Sequence, residues 1–183
     1  MEKSLNNKRL RINLLILLLI RGALLFLNKV FSLYVLIFSI NQNPINLILN
    51  ALIIISILRL INPRLNRTLK SLVNFIAITF ITMSLLFSLL TNTQPRYFYF
   101  PSPNSSKTLI VKEGTFFNGG IISFYERKGL ILVKDLKVIE STDDNYRPFS
   151  SNAYGVNWLN NSSIEVNYGF GEGVYKSVLI ELD

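Results

Sequence analysis

The densest run of chemistry-bearing side chains in this 183-residue chain is Ser141-Thr142-Asp143-Asp144-Asn145-Tyr146-Arg147-Pro148-Phe149. Asp143, Asp144 and Asn145 are hard oxygen donors of the kind that hold calcium, and a long polar connection between strands is often functional. Their spacing does not repeat the ligand positions of an EF-hand loop. An Asx-type turn, with Arg147 pairing an aspartate, is the plainer reading, and no metal site is assigned. Asp143, Asp144, Asn145 and Arg147 are therefore carried forward as a candidate ligand- or partner-binding group.

A second group is singled out by its surroundings. Arg21 lies inside an apolar stretch, and an ionisable residue within a membrane segment is by default a functional hypothesis. Between Glu2 and Glu113 the sequence has no acidic residue, and it has no His anywhere, so this region offers Arg21 no carboxylate or imidazole. Proton relays and cation-coupled carriers need such groups, which argues against independent transport. Asn46 and Asn50 are one helical turn apart on a second apolar segment, and Ser71, Asn74, Thr79 and Thr82 share one side of a third. They either line a polar path or hydrogen-bond neighbouring helices, and the second use is the commoner.

Other chemistry is excluded more firmly. With neither Cys nor His the chain has no disulfide, thiol nucleophile, thiolate or imidazole metal site, or histidine base. Gly169-x-Gly171-x-Gly173 is followed by no helix pattern and reads as a hairpin turn, not a phosphate cradle. Glu126, Glu140 and Glu165 sit in strand patterns like ordinary surface acids, and Tyr154, Trp158, Tyr168 and Phe170 are core aromatics before they are a stacking platform. The expectation is a protein that is not an enzyme and uses no cofactor.

The elements that position these groups follow from composition. Half the residues are hydrophobic, 16% are charged and the mean hydropathy is +0.37, whereas soluble domains carry about 25% charged residues. The net charge of +8 is unevenly spread: residues 1–94 hold ten Lys or Arg against one acid, and residues 95–183 hold nine against ten. The excess flanks apolar segments, which marks a cytoplasmic membrane face and not a nucleic-acid footprint.

Three apolar stretches approach the roughly 20 residues that span a bilayer: residues 12–40, 45–61 and 69–90. The first contains Arg21, Asn28 and Lys29, and reads either as one long tilted helix or as two short ones broken near Asn28-Lys29. It is too long for a cleaved signal peptide. Lys3, Lys8, Arg9 and Arg11 precede it, and Arg59, Arg64, Arg67 and Lys70 surround the second connection, while Asn41-Gln42-Asn43-Pro44 is uncharged. This places the N-terminus and residues 62–68 in the cytoplasm, with three crossings and everything after Gln94 outside. Tyr97, Phe98, Tyr99 and Phe100, beside Arg96, read as an interfacial belt opening a linker over residues 95–106; the other reading is that they begin the next domain's core.

From residue 107 the pattern changes to short strands with Gly- and Asn-rich turns at 107–113, 120–126, 130–139, 153–158, 163–168 and 174–182. The fold class expected is α+β in separate parts: three transmembrane helices, then a small antiparallel all-β meander, sandwich or barrel, over residues 107–183. The turns include Asn118-Gly119-Gly120, Arg127-Lys128-Gly129 and Asn160-Asn161-Ser162.

Ser102-Pro103-Asn104, Leu109-Ile110-Val111-Lys112-Glu113-Gly114, Phe124-Tyr125-Glu126, residues 141–150 and Ile164-Glu165-Val166-Asn167-Tyr168-Gly169-Phe170-Gly171 together resemble small membrane proteins of low-GC Gram-positive bacteria. The resemblance covers about residues 101–183. It implies an extracytoplasmic β-rich domain in the cell envelope and carries no activity to transfer. The partners expected are the lipid bilayer and a membrane or envelope protein, and the function expected is that of a membrane-anchored accessory or sensor protein. The alternative is a helper subunit of a transport or toxin-immunity system acting through its helices.

Overall fold

A computed structural model describes residues 2–37, 42–91, 93–116 and 119–183. The chain divides into a helical unit, Met1–Val30 with Asn41–Leu89, and a β unit, Phe31–Ile40 with Leu90–Asp183.

The helices are α1 (Glu2–Phe31), α2 (Gln42–Ile61) and α3 (Arg67–Thr91). Asn7–Phe31, Gln42–Arg64 and Arg67–Ser88, of 25, 23 and 22 residues, are each long and apolar enough to cross a membrane. At about 1.5 Å per residue they reach roughly 33 to 38 Å, beyond a hydrocarbon core of about 30 Å. Their large side chains face outward: Phe75 and Phe87 are 68% and 67% exposed, which suits lipid and would be costly in water.

α1 runs unbroken through Asn28-Lys29 and ends at Ser32, whose φ of 54° is left-handed. The apolar stretch 12–40 is thus neither one helix to residue 40 nor two helices broken at Asn28-Lys29. Beyond Ser32, Leu33-Tyr34-Val35 form a strand, a pairing with distant residues that local hydrophobicity cannot reveal. Residues 38–41 lie outside the described residues. α2 begins three residues before Ile45 and keeps Pro44 in its first turn, where the missing N–H is not needed. A 3-10 turn, Asn62–Arg64, closes it. Asn66 caps α3 by accepting the Leu69 N–H at 2.9 Å, so this helix starts at Arg67.

The β unit contains β1 (Leu33–Val35), β2 (Thr93–Pro101), β3 (Thr108–Phe116), β4 (Gly119–Arg127), β5 (Leu132–Thr142), β6 (Tyr154–Trp158), β7 (Ser163–Gly171) and β8 (Val174–Glu181). All pairings are antiparallel, in a five-stranded sheet ordered β1-β5-β4-β3-β2 and a three-stranded sheet ordered β6-β7-β8. The six strands read from sequence correspond to β3 through β8; β1 and β2 are additional.

The sheets form a sandwich. Leu109, Val111, Ile122 and Phe124 of the larger sheet share one core with Ile164, Val166, Tyr168 and Ile180 of the smaller. Period-two alternation sends one side of each strand inward. β2 shows it in aromatic form: Phe98 and Phe100 pack against this core, while Tyr97 and Tyr99 take the opposite face. The run Tyr97–Phe100 therefore belongs to a strand, and most of the linker expected at residues 95–106 is sheet. Its irregular part is the turn after Pro101, where Asn104 Oδ1 accepts the Ser102 and Ser106 hydroxyls and the Ser106 N–H.

β1 lies between α1 and α2 in the chain and β2 follows α3, yet both are edges of one sheet. Two helices, each long and apolar enough to cross a membrane, separate them in the chain.

The turns follow their chemistry. Gly171, Glu172 and Gly173 all have positive φ in the β7–β8 hairpin, and Asn160 Oδ1 accepts the Ser162 and Ser163 N–H groups at 2.8 Å. Asn118 lies outside the described residues, while Gly119 and Gly120 open β4. A Cβ on Gly120 would sit 2.5 Å from the Tyr146 carbonyl oxygen, so only glycine fits there.

Candidate functional site

The candidate residues fall into three places. Arg21, Asn46 and Asn50 come together in the helical unit: Arg21 Nε donates to Asn50 Oδ1 at 3.0 Å and Nη1 donates to Asn46 Oδ1 at 3.1 Å. The one-turn spacing of the asparagines on α2 matches the fork of the guanidinium. The arrangement ties α1 to α2 and satisfies a charge that has no carboxylate nearby. Asn62 Nδ2 donates to Asn74 Oδ1 at 2.9 Å, tying the end of α2 to α3 in the same manner.

Asp143, Asp144 and Asn145 form a tight turn. Asp144 and Asn145 have φ of 42° and 57°, and the Tyr146 N–H donates to the Asp143 carbonyl at 2.7 Å, which defines a type I′ turn. The Asp143 carboxylate accepts the Asp144 N–H at 3.1 Å, and the Asp143 N–H donates to the Phe170 carbonyl at 2.9 Å. The acidic run thus serves the backbone. Among the described residues no three His, Cys, Asp or Glu side chains gather in a way that could hold a metal ion.

The third place was not visible as a motif. It is the face of the five-stranded sheet turned away from the sandwich core. Strand register sets Tyr97, Lys112 and Ser123 in one row, and Tyr99, Ile110, Tyr125 and Asp135 in the next. β1 adds Tyr34, whose ring meets Tyr125 edge-on at 6.4 Å between centroids. Leu36, Ile110 and Val133 make a second, small core here, flanked by Tyr34, Tyr97 and Tyr125. Burial holds the Lys112 ammonium below the usual lysine range, with Asp135 acting in the opposite direction. Burial first, and then the Asp135 charge, push the Tyr125 hydroxyl up.

Beside this cluster a pocket of about 470 Å³ opens, lined by Leu36, Ile37, Tyr99, Ile110, Ile131 and Val133, with Arg127, Gly129 and Leu130 at the β4–β5 turn. Its size is ordinary for a ligand site, which typically runs from about 300 to 1,000 Å³. Leu130 is 90% exposed and Ile131 49%. Among the described residues Arg127 is the only charged side chain in the lining, and its Nε donates to the Gly129 carbonyl at 3.0 Å.

No family model, curated protein or solved structure matches the chain. Its chemistry is therefore argued from its own side chains. The alternation Ile110-x-Lys112 and Tyr97-x-Tyr99 was available in the sequence and marks a second face. What could not be read was that residues 33–36 extend this face at the sheet edge, because their apolar character is shared with the helix they follow.

Two buried glutamates and the half-buried Glu140 complete the polar contacts of the β unit. Glu113 accepts the Phe149 N–H at 2.8 Å, the Ser150 N–H at 3.1 Å and the Ser150 hydroxyl. Glu126 accepts Lys128 Nζ at 2.7 Å and the Asp183 N–H at 3.1 Å. Tyr168 donates its hydroxyl to Glu140 at 2.7 Å. Each of these three glutamates holds structure.

Proposed function

We propose that the chain is a membrane-anchored accessory or sensor protein, acting without catalysis, cofactor or nucleic acid, whose sandwich lies outside the cell membrane and binds an envelope component or partner protein. The observation that carries this reading is the pairing of β1 with β5. It makes the binding domain continuous with the helices at both edges of its larger sheet, after α1 and after α3. A domain needing only to be tethered would require one such connection. Two supply a route by which occupancy of the sheet face biases the helices.

The Lys and Arg residues before α1 and around residues 59–70 support an inner location for those segments and an outer one for the sandwich. The helper-subunit alternative rests on Arg21, but a guanidinium bonded to two asparagines favours helix packing.

The test is photo-crosslinking in living cells, with the full chain carrying a photoreactive residue at Leu130, on the pocket rim, or at Leu179 on the three-stranded sheet. A discrete adduct from position 130 that is missing from position 179 is expected. The same abundant proteins captured at both positions would defeat the reading.

A further inference from the structure

Resting on the binding role proposed above, we infer that the pocket between β1 and the β4–β5 turn takes one acyl chain of an anionic membrane lipid, with Arg127 holding the headgroup. The walls set the tail chemistry: Leu36, Ile37, Ile110, Ile131 and Val133 offer apolar surface with no carboxylate among them. The rim sets the head chemistry. Arg127 uses one N–H on Gly129, and among the described residues no acid lies within ion-pair distance of it, whereas the neighbouring Lys128 is neutralised by Glu126 and Lys134 by Asp183. A guanidinium with donors to spare at an apolar mouth is complementary to a phosphate or carboxylate carrying a hydrocarbon tail.

The occupant's source is the bilayer. Leu36 lies five residues past Phe31, where a segment able to span the membrane ends, a reach of roughly 17 Å at about 3.3 Å per residue. Leu130, almost fully exposed, and Tyr99, 45% exposed, form an apolar and aromatic lip of the kind that settles at a lipid interface.

The test uses the full chain in nanodiscs of phosphatidylcholine, doped with phosphatidylglycerol or phosphatidylcholine bearing a diazirine on one acyl chain. Peptide mapping should place adducts on residues 127–134 and 33–37, with the anionic probe labelling about fivefold more than the neutral one, a preference that one rim-exposed charged hydrogen bond sustains. Arg127→Gln should reduce that preference to about one, and Leu130→Asp should lower labelling by both probes. Both substitutions are at the surface, and unchanged melting verifies the fold. Adducts confined to α1, α2 and α3, or an undiminished preference in Arg127→Gln, would overturn the inference. A discrete protein adduct from Leu130 in cells, without lipid preference in nanodiscs, overturns the lipid assignment and leaves the recognition role standing. The reverse pattern, lipid preference without a discrete protein adduct, makes the lipid the envelope component bound and overturns the protein-partner reading alone.

Discussion

The carboxylate of Glu113, on β3, caps the helical turn over residues 147–153: its Oε1 accepts the Phe149 N–H at 2.8 Å, and both residues are 1% exposed. Ser151 N–H donates to the Arg147 carbonyl, Asn152 N–H to Phe149 and Ala153 N–H to Pro148, with Asn152 left-handed at φ 56°, so residues 147–153 form one turn closed by a Schellman motif. Arg147 has no acceptor side chain to cap such a turn. The acceptor arrives from 36 residues away in sequence. Glu113→Ala strands two N–H groups beside the core and is expected to cost about 2 to 4 kcal/mol, while Glu113→Gln, which keeps one acceptor, is expected to cost about half as much. Denaturant unfolding of the full chain in detergent measures both. Equal stability of Glu113→Ala and the parent would remove the cap from the account.

This contact also shows where the sequence stops being readable. Three long apolar helices, six of eight strands and the alternation of Leu109, Val111 and Glu113 follow from local periodicity. The partner of Glu113 does not, because a backbone N–H has no side-chain signature. β1 was hidden for a related reason: Leu33-Tyr34-Val35 extend the hydrophobicity of α1, and only the left-handed Ser32 and the edge of β5 separate them from it. The Arg21 group was half legible, since residue types and spacing located all three members but not the side of α1 that meets α2. Asp143 and Asp144 were legible as a turn, which the structure shows, although residue type alone left a cation site open. Acids and amides favour turns as strongly as they favour calcium.

Arg21, Asn46 and Asn50 make an energetic claim about the helices. Removing the acceptors leaves a charge without partners, whereas removing Arg21 leaves two amides that can find other bonds. The pair Asn46→Leu with Asn50→Leu is therefore expected to destabilise the helical unit more than Arg21→Leu does. A double-mutant cycle on Arg21 and Asn50 should give a coupling of about 1 kcal/mol, near the range of interhelical hydrogen bonds. Pulse proteolysis in detergent reads these values. A coupling of zero would show that the fork does not hold the helices.

The β1–β5 register supplies a test of sidedness. Leu36 N–H bonds to the Ile131 carbonyl and Asp135 N–H to the Ser32 carbonyl, so Val35 and Leu132 face each other as a non-hydrogen-bonded pair. Such pairs place Cα atoms about 4.5 Å apart, within disulfide range. The sequence has no other Cys to compete. Val35→Cys with Leu132→Cys should form a disulfide spontaneously in the cell if the sandwich is outside, and remain reduced if it faces the cytoplasm. Non-reducing gels report the state, and oxidation of purified protein checks the register independently. Failure under oxidant would refute the pairing, and oxidation only after lysis would refute the outer location.

Lys112, Tyr125 and Tyr168 are expected to give the β unit a stability maximum in alkali. Lys112 has its pKa lowered from 10.5 by burial, so the unfolded chain binds more protons in the window below 10.5, and stability rises with pH there. Tyr125 and Tyr168 have pKa values raised from 10.0, the first by burial and then Asp135, the second by burial and then its hydrogen bond to Glu140. The folded chain keeps those protons longer, so their contribution, complete below pH 10, is lost as pH climbs beyond it. Denaturant midpoints of the full chain between pH 7 and 11.5 should therefore rise and then fall, with the turn near pH 10. Lys112→Met should be more stable than the parent at pH 7 and should lack the rising limb, because the methionine side chain fills the same space without a charge to desolvate. Tyr125→Phe should soften the fall above pH 10 and leave the rise intact. A profile of Lys112→Met parallel to that of the parent would mean that the ammonium reaches water from the sheet face and that the pocket wall beside it is open.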